Sequence, residues 1–357
     1  MKVYLKFFTS IFLKSLLYVF FVLLSLVFIL NTLTELDFFK EIEVETYFSL
    51  FLSFLNSPAL IFEMFPFIFL ITVQLFFIKL YENKEIEILK YTGVKNTKIL
   101  LILSILSLLA GLLITTFFYH FSSNLKNFYL KLKSPYTNDD KYLAVVTKNG
   151  LWIKDIVKDN ILIINSSKIE QNYLIDNFIT EFNKSYEVIR NIKSEKIDIK
   201  NNDWLILDAK IFINNNYIVK DSILLKTNFN YKKIQSLYSN LSSLNFYELF
   251  ELKKNYKKLN YSTTEINLQL LKLISYPIYL FLMALFSGLI MLRIKYIDNS
   301  TFKISIGIFF SVIIYYLNNF FYILGSTEKL SVAISIILPL LMLSMINTFM
   351  LININEK

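Results

Sequence analysis

The sequence predicts an α+β membrane protein, with six transmembrane helices in a three-plus-three order around an inserted β-jellyroll-like domain. Three observations predict it. The 357 residues are 55% hydrophobic and 17% aromatic, with a mean hydropathy of +0.50, more apolar surface than a soluble chain of that length can bury. Six apolar runs each approach the roughly 20 residues that cross a hydrocarbon core. The third and fourth runs are parted by residues 119–272, where the apolar pattern changes to short alternating segments.

The runs cover residues 15–33, 58–80, 99–118, 273–292, 304–324 and 330–351. The first is too long for a cleaved signal peptide, and no small-residue cleavage site follows it. Domain boundaries are expected at 1–119 for the first three spans, 120–235 for the β domain, 236–270 for a helical return to the membrane and 271–357 for the last three spans. Lysine and arginine near the span ends set the orientation. Lys2, Lys6 and Lys14 precede span one; Lys79, Lys84, Lys90, Lys95 and Lys98 follow span two; Arg293, Lys295 and Lys303 follow span four. The loop after span one holds only Lys40 among Glu35, Asp37, Glu41, Glu43 and Glu45. Both termini are therefore expected in the cytoplasm and the insert outside, since long domains cross largely regardless of charge.

Within the insert, "YLAVVTKNGLWIKDIV" places two apolar runs either side of Asn149-Gly150, a strong hairpin signal. "NILIINSSKI", "NYLIDNFITEF", "EVIRNIKSEKIDI", "DWLILDAKIFI" and "NYIVKDSILLKTN" follow as further strands, the pattern of a sandwich or jelly roll. From Ser236 the periodicity turns helical through "LSSLNFYELFELKKNYKKL".

Composition also excludes functions. The chain has no cysteine and one histidine, His120, so disulfides, thiolate sites and two-histidine metal motifs are ruled out. No glycine stands in a nucleotide-binding fingerprint, and no cofactor or metal is expected. The net charge is +9, but the lysines are scattered rather than grouped with exposed aromatics, which argues against nucleic acid.

Between spans two and three lies "YENKEIEILKYTGVKN". At 100° per residue it makes a short helix over residues 82–93, ended by Gly93. Lys84, Glu87 and Lys90 share one face; Ile86, Ile88, Leu89, Thr92 and Gly93 share the other, with Glu85 set into that apolar strip. Such a segment either lies in the headgroup plane or docks its strip into a groove on a soluble partner, with Glu85 meeting a partner cation. Glu63 lies five residues inside span two, where a charge either snorkels or meets a lysine in a cavity. Pro66, Pro277 and Pro339 fit kinked spans.

"EIEILKYTG", with Glu85 and Gly93, resembles the coupling-helix motif of the lipopolysaccharide export permeases of the LptF/LptG family. "FEMFPF", with Glu63 and Pro66, resembles the family's span-two motif, and "KLISYPIYLFLMAL", with Lys272 and Pro277, its entry to span four. The topology resembles the family over the whole chain. "NTLTELDFFKE" and "LGSTEKLSVAISIILPLLML" resemble the LptG branch more than LptF. The resemblance implies a non-catalytic subunit of an ABC transporter that takes lipopolysaccharide from the bacterial inner membrane. It implies a sister LptF-like permease, a cytoplasmic ABC ATPase dimer that hydrolyses ATP, a single-span LptC-like subunit and a periplasmic LptA-like bridge. Glu85, Ile88, Leu89 and Gly93 would couple to the ATPase, and Lys40 and Glu63 would line the substrate cavity. In the LptG branch several basic residues often follow span one; here Lys40 stands alone among acids. Two other classes share parts of this pattern: a membrane-anchored periplasmic scaffold or sensor, and an envelope-lipid-modifying enzyme, for which no cluster of acid–base residues is present.

Overall fold

The structure is a computed structural model that describes residues 3–42, 44–133, 136, 151–157, 160–170, 172–213, 216–231, 234, 240–258, 262–297 and 299–355. The chain divides into two compact units, Met1–Tyr129 with Thr264–Lys357, and Leu130–Thr263.

The first unit is a helical bundle. Its long helices are α1 (Val3–Phe38), α2 (Thr46–Glu82), α4 (Asn96–Leu113) running on into α5 (Tyr119–Lys133), α7 (Thr264–Arg293), α8 (Ser300–Ser326) and α9 (Val332–Asn355); the short α3 (Glu85–Tyr91) lies between α2 and α4. Among the described residues, six helical stretches are long and apolar enough to cross a membrane. Each contains nearly all of its predicted run and extends past the apolar part, because backbone hydrogen bonding does not stop where hydropathy does. Pro58, Pro66, Pro277 and Pro339 all lie inside these helices. The stretch Ile114–Phe118 is a π-helix that joins α4 to the polar α5. The first compact unit runs to Tyr129 within α5.

α2 and α7 form the centre. The most apolar windows of these two are 72% and 67% buried, against 17%, 11% and 22% for α1, α8 and α9. Lipid is as apolar as leucine, so helices there pair through close packing and interhelical hydrogen bonds. Both are present. Asn31 of α1 donates to the Ser53 carbonyl at 3.1 Å and accepts from Asn56 of α2 at 3.1 Å. Asn347 of α9 donates to the Leu282 carbonyl of α7 at 3.0 Å. At Gly111 the backbones of α4 and α7 approach so closely that a Cβ would stand 3.1 Å from the Cα of Pro277.

The second unit holds an antiparallel sheet of six strands in sequence order: β1 (Leu151–Val157), β2 (Asn160–Glu170), β3 (Tyr173–Phe182), β4 (Val188–Asp198), β5 (Asp203–Ile213) and β6 (Asn216–Lys226). Each strand falls on an expected segment. Among the described strands the order is a meander, without the Greek-key crossover of a jelly roll. The Asn149-Gly150 turn and the apolar run before it lie outside the described residues.

Alternation in the middle strands breaks once each. Buried positions run Leu174, Asn177, Ile179 in β3, Ile192, Ser194, Ile197 in β4 and Trp204, Ile206, Ala209, Ile211 in β5. Each has one three-residue step, and Asp176 and Asp208 there take left-handed φ of 51° and 48°. The steps lie opposite one another and the pairing register is unchanged across them, so neighbouring strands change facing together; the register shift between β3 and β4 is at Glu181/Phe182 instead. Buried polar groups are satisfied along the steps: the Ser166 hydroxyl donates to Asn177 Oδ1 at 2.6 Å, and Asn177 Nδ2 donates to the Leu174 carbonyl at 2.9 Å. Residues 235–239, where the helical pattern is expected to begin, lie outside the described residues; α6 spans Phe246–Lys258. Its start is set by a reciprocal cap: the Asn245 N–H donates to Glu248 Oε2 at 2.8 Å and the Glu248 N–H to Asn245 Oδ1 at 3.1 Å.

Gly111→Val should destabilise the bundle by about 1–3 kcal/mol, because the neighbouring Pro277 backbone cannot yield. Thermal unfolding of the detergent-solubilised protein checks this.

Candidate functional site

The bundle carries two sets of charged residues whose positions need explaining. The first is α3. α2 ends at Glu82, and the chain turns through Asn83 and Lys84, whose φ of 54° is left-handed. That turn delays the helix, so α3 spans Glu85–Tyr91, two turns rather than the three expected over 82–93. Its end is as expected: Gly93 takes φ +81° and the Val94 N–H donates to the Leu89 carbonyl at 2.9 Å, closing a Schellman motif with Val94 tucked under it.

The predicted residues divide between two sides of α3. Ile86 is buried against the bundle with Val94, while Glu85 and Leu89 are half-buried. Ile88 is 60% exposed and Tyr91 91% exposed. The apolar strip is therefore split: Ile86 anchors the helix, and Ile88 with Tyr91 is presented outward. Glu85 Oε1 lies 3.5 Å from Asn83 Nδ2. Its other oxygen is shielded and, among the described residues, accepts no hydrogen bond. Tyr91 was not singled out by sequence reasoning; it stands two residues before the glycine that ends the helix, on the same side as Ile88.

The second set lies within the spans. Lys272 Nζ of α7 donates to Glu63 Oε2 of α2 at 2.8 Å. Lys272 also sits 5.8 Å from the Tyr322 ring of α8. Lys126 of α5 interacts electrostatically with both Glu63 and Lys272. Behind the pair, Phe62 stacks on Tyr276 with centroids 4.8 Å apart, and the Tyr276 hydroxyl donates to the Phe62 carbonyl. This aromatic wedge fixes α2 against α7 at the height of the ion pair. Sequence order disperses these three residues over positions 63, 126 and 272. Charged side chains at such depth are retained for pairing or transport. Lys40 lies elsewhere, exposed in the turn after α1, and among the described residues it makes no contact with this cluster. In α1 the buried acid is instead Glu35, which accepts from the Tyr129 hydroxyl at 2.8 Å. The described residues contain no group of acidic, histidine or cysteine side chains suited to a metal.

A cycle of Glu63→Gln, Lys272→Met and the double variant should give a coupling of about 0.5–3 kcal/mol, with each single change costing more than expected from the double. Thermal unfolding in detergent provides the measurement; additive effects would deny the pair any energetic role.

A search of curated proteins finds no match. The family model described as lipopolysaccharide export system permease LptF/LptG matches residues 6–353, a range that takes in both charged sets, all six spanning helices and the sheet. The chain therefore belongs to the LptF/LptG family, whose members are permease components of lipopolysaccharide export rather than enzymes.

Proposed function

We propose that this chain is the LptG-type subunit of an ABC transporter and that α3 receives the force of ATP hydrolysis in a partner. The observation that carries this reading is the construction of α3: a rigidly terminated two-turn helix, anchored by Ile86 and Val94, that holds Ile88 and Tyr91 outward beside a carboxylate with one unpartnered oxygen. An apolar groove on an ATPase dimer would take Ile88 and Tyr91, with Leu89 at the margin. An arginine or lysine there would complete Glu85 in a desolvated contact that discriminates strongly between partners. Gly93 keeps the helix short and its end fixed.

In this reading both termini and α3 are cytoplasmic, following the lysine distribution, and the six-stranded sheet, as part of a jellyroll-like domain, is periplasmic. A sister LptF-like permease completes the membrane cavity, an LptC-like single-span subunit joins it, and an LptA-like bridge receives the glycolipid. Glu63, held by Lys272, is the charged residue of α2 that this reading places at the substrate cavity. A scaffold reading would give the outward face of α3 no energy-coupling task.

Affinity purification of the tagged chain in mild detergent should bring down a soluble ABC ATPase and a second six-span permease. Glu85→Lys should lose the ATPase while keeping the sister permease. Retention of the ATPase by that variant would remove α3 from the coupling role, and a chain stable without partners would favour the scaffold.

A further inference from the structure

α3 continues directly from the last turn of α2, and that turn is fastened to the second half of the bundle. Gln74 and Tyr81 are seven residues apart, hence on one face of α2. The Tyr81 hydroxyl donates to the Met291 carbonyl at 3.0 Å, one of the last carbonyls of α7 that lack a partner within their own helix. Gln74 Nε2 donates to the Lys303 carbonyl in the first turn of α8 at 2.8 Å. The Lys303 ammonium stands over the Tyr81 ring, 4.6 Å from its centroid, a cation–π contact. Lys303 is 4% exposed, an unusual state for a lysine, and among the described residues it has no carboxylate partner. One turn on, Gly307 leaves the space that Gln74 fills; a Cβ there would collide with the Gln74 amide. Ser300 adds a contact to Glu82 Oε1 at 3.3 Å.

We infer that Tyr81 and Lys303 are positioning residues that carry a displacement of α3 into α8, so that spans two, four and five respond to one push rather than spans two and three alone. This rests on the coupling role proposed for α3. The burial pattern supports the direction of transfer. α8 is the least buried of the six spans, so few internal contacts resist its movement. Its fastening to α2 is concentrated in the first turns, at Ser300, Lys303 and Gly307. The two contacts of Tyr81 also pin the α7–α8 connection from both sides.

The test uses the full transporter in proteoliposomes loaded with purified lipopolysaccharide, recording ATP hydrolysis and lipid release together. Lys303→Met keeps most of the length of the side chain and removes its charge. It should lower lipid released per ATP hydrolysed by about twofold to thirtyfold, the range for changes along a coupling path, with ATPase binding intact. Lys303→Arg, which restores a cation over the ring, should recover the ratio. A purely structural defect would lower hydrolysis and release in parallel, leaving the ratio unchanged, and that result would overturn the inference. Because the chain has no cysteine, Glu82→Cys with Ser300→Cys gives a second test that does not depend on the Lys303 variants folding. If α2 and α8 move as one, oxidation should leave release per ATP intact; loss on oxidation and recovery on reduction would show that the two must separate, against the inference. If the unmodified chain binds no ATPase, the coupling role of α3 falls and this inference falls with it.

Discussion

The bundle depends on polar side chains that cross between helices to reach backbone carbonyls of α2 and α7. Tyr276 reaches Phe62, Ser287 reaches Leu70 at 2.7 Å, Tyr81 reaches Met291 and Asn347 reaches Leu282. In a hydrocarbon solvent the apolar surfaces of these helices gain little by pairing. Measured interhelical hydrogen bonds average about 0.6 kcal/mol, so no single one holds the bundle. Three spaced along the α2–α7 contact fix its register, and close approach at Gly111 and Gly288 does the rest. The result is a central α2–α7 pair with α1, α8 and α9 leaving much of their surface outward.

That arrangement explains why charge appears where it does. Glu63 and Lys272 are brought together because α2 and α7 are locked in register by the Phe62–Tyr276 wedge. Lys126 joins them because the helix begun at Asn96 continues through the π-helical stretch to Lys133 instead of ending with the apolar run. At the other end of α2, the left-handed turn at Lys84 and the glycine cap at Gly93 isolate α3 as a unit that a partner could move. Between the two, α2 is continuous from Thr46 to Glu82, which makes it the physical connection between the proposed site of force and the proposed site of the lipid.

The sheet follows a different rule. Its strands were legible because each alternates between apolar and polar residues on either side of one irregular step. The step itself is less visible. "LIDNFI" and "LILDAKIF" contain an aspartate where alternation fails, and aspartate tolerates the left-handed conformation better than most residues. In β4 the step falls in "IKSEKI", with no such residue to mark it. Hydrogen bonding of Ser166, Asn177 and Ser194 across the steps is a property of the assembled sheet.

The sequence by itself determined the six spans, the place and type of the insert, the existence of a short glycine-ended helix between spans two and three and the family. These follow from hydropathy summed over long windows, period-two patterning and the conformational demand for glycine at position 93, all of which are local. Only the tertiary structure decided which face of α3 is presented, because burial of Ile86 depends on how α3 rests against the bundle. It alone paired Glu63 with Lys272, turned Lys40 away from them and buried Lys303 under the end of α2. Those contacts join residues about two hundred positions apart. Helical periodicity fixes which residues share a face of one helix; it carries no information on which helix that face will meet.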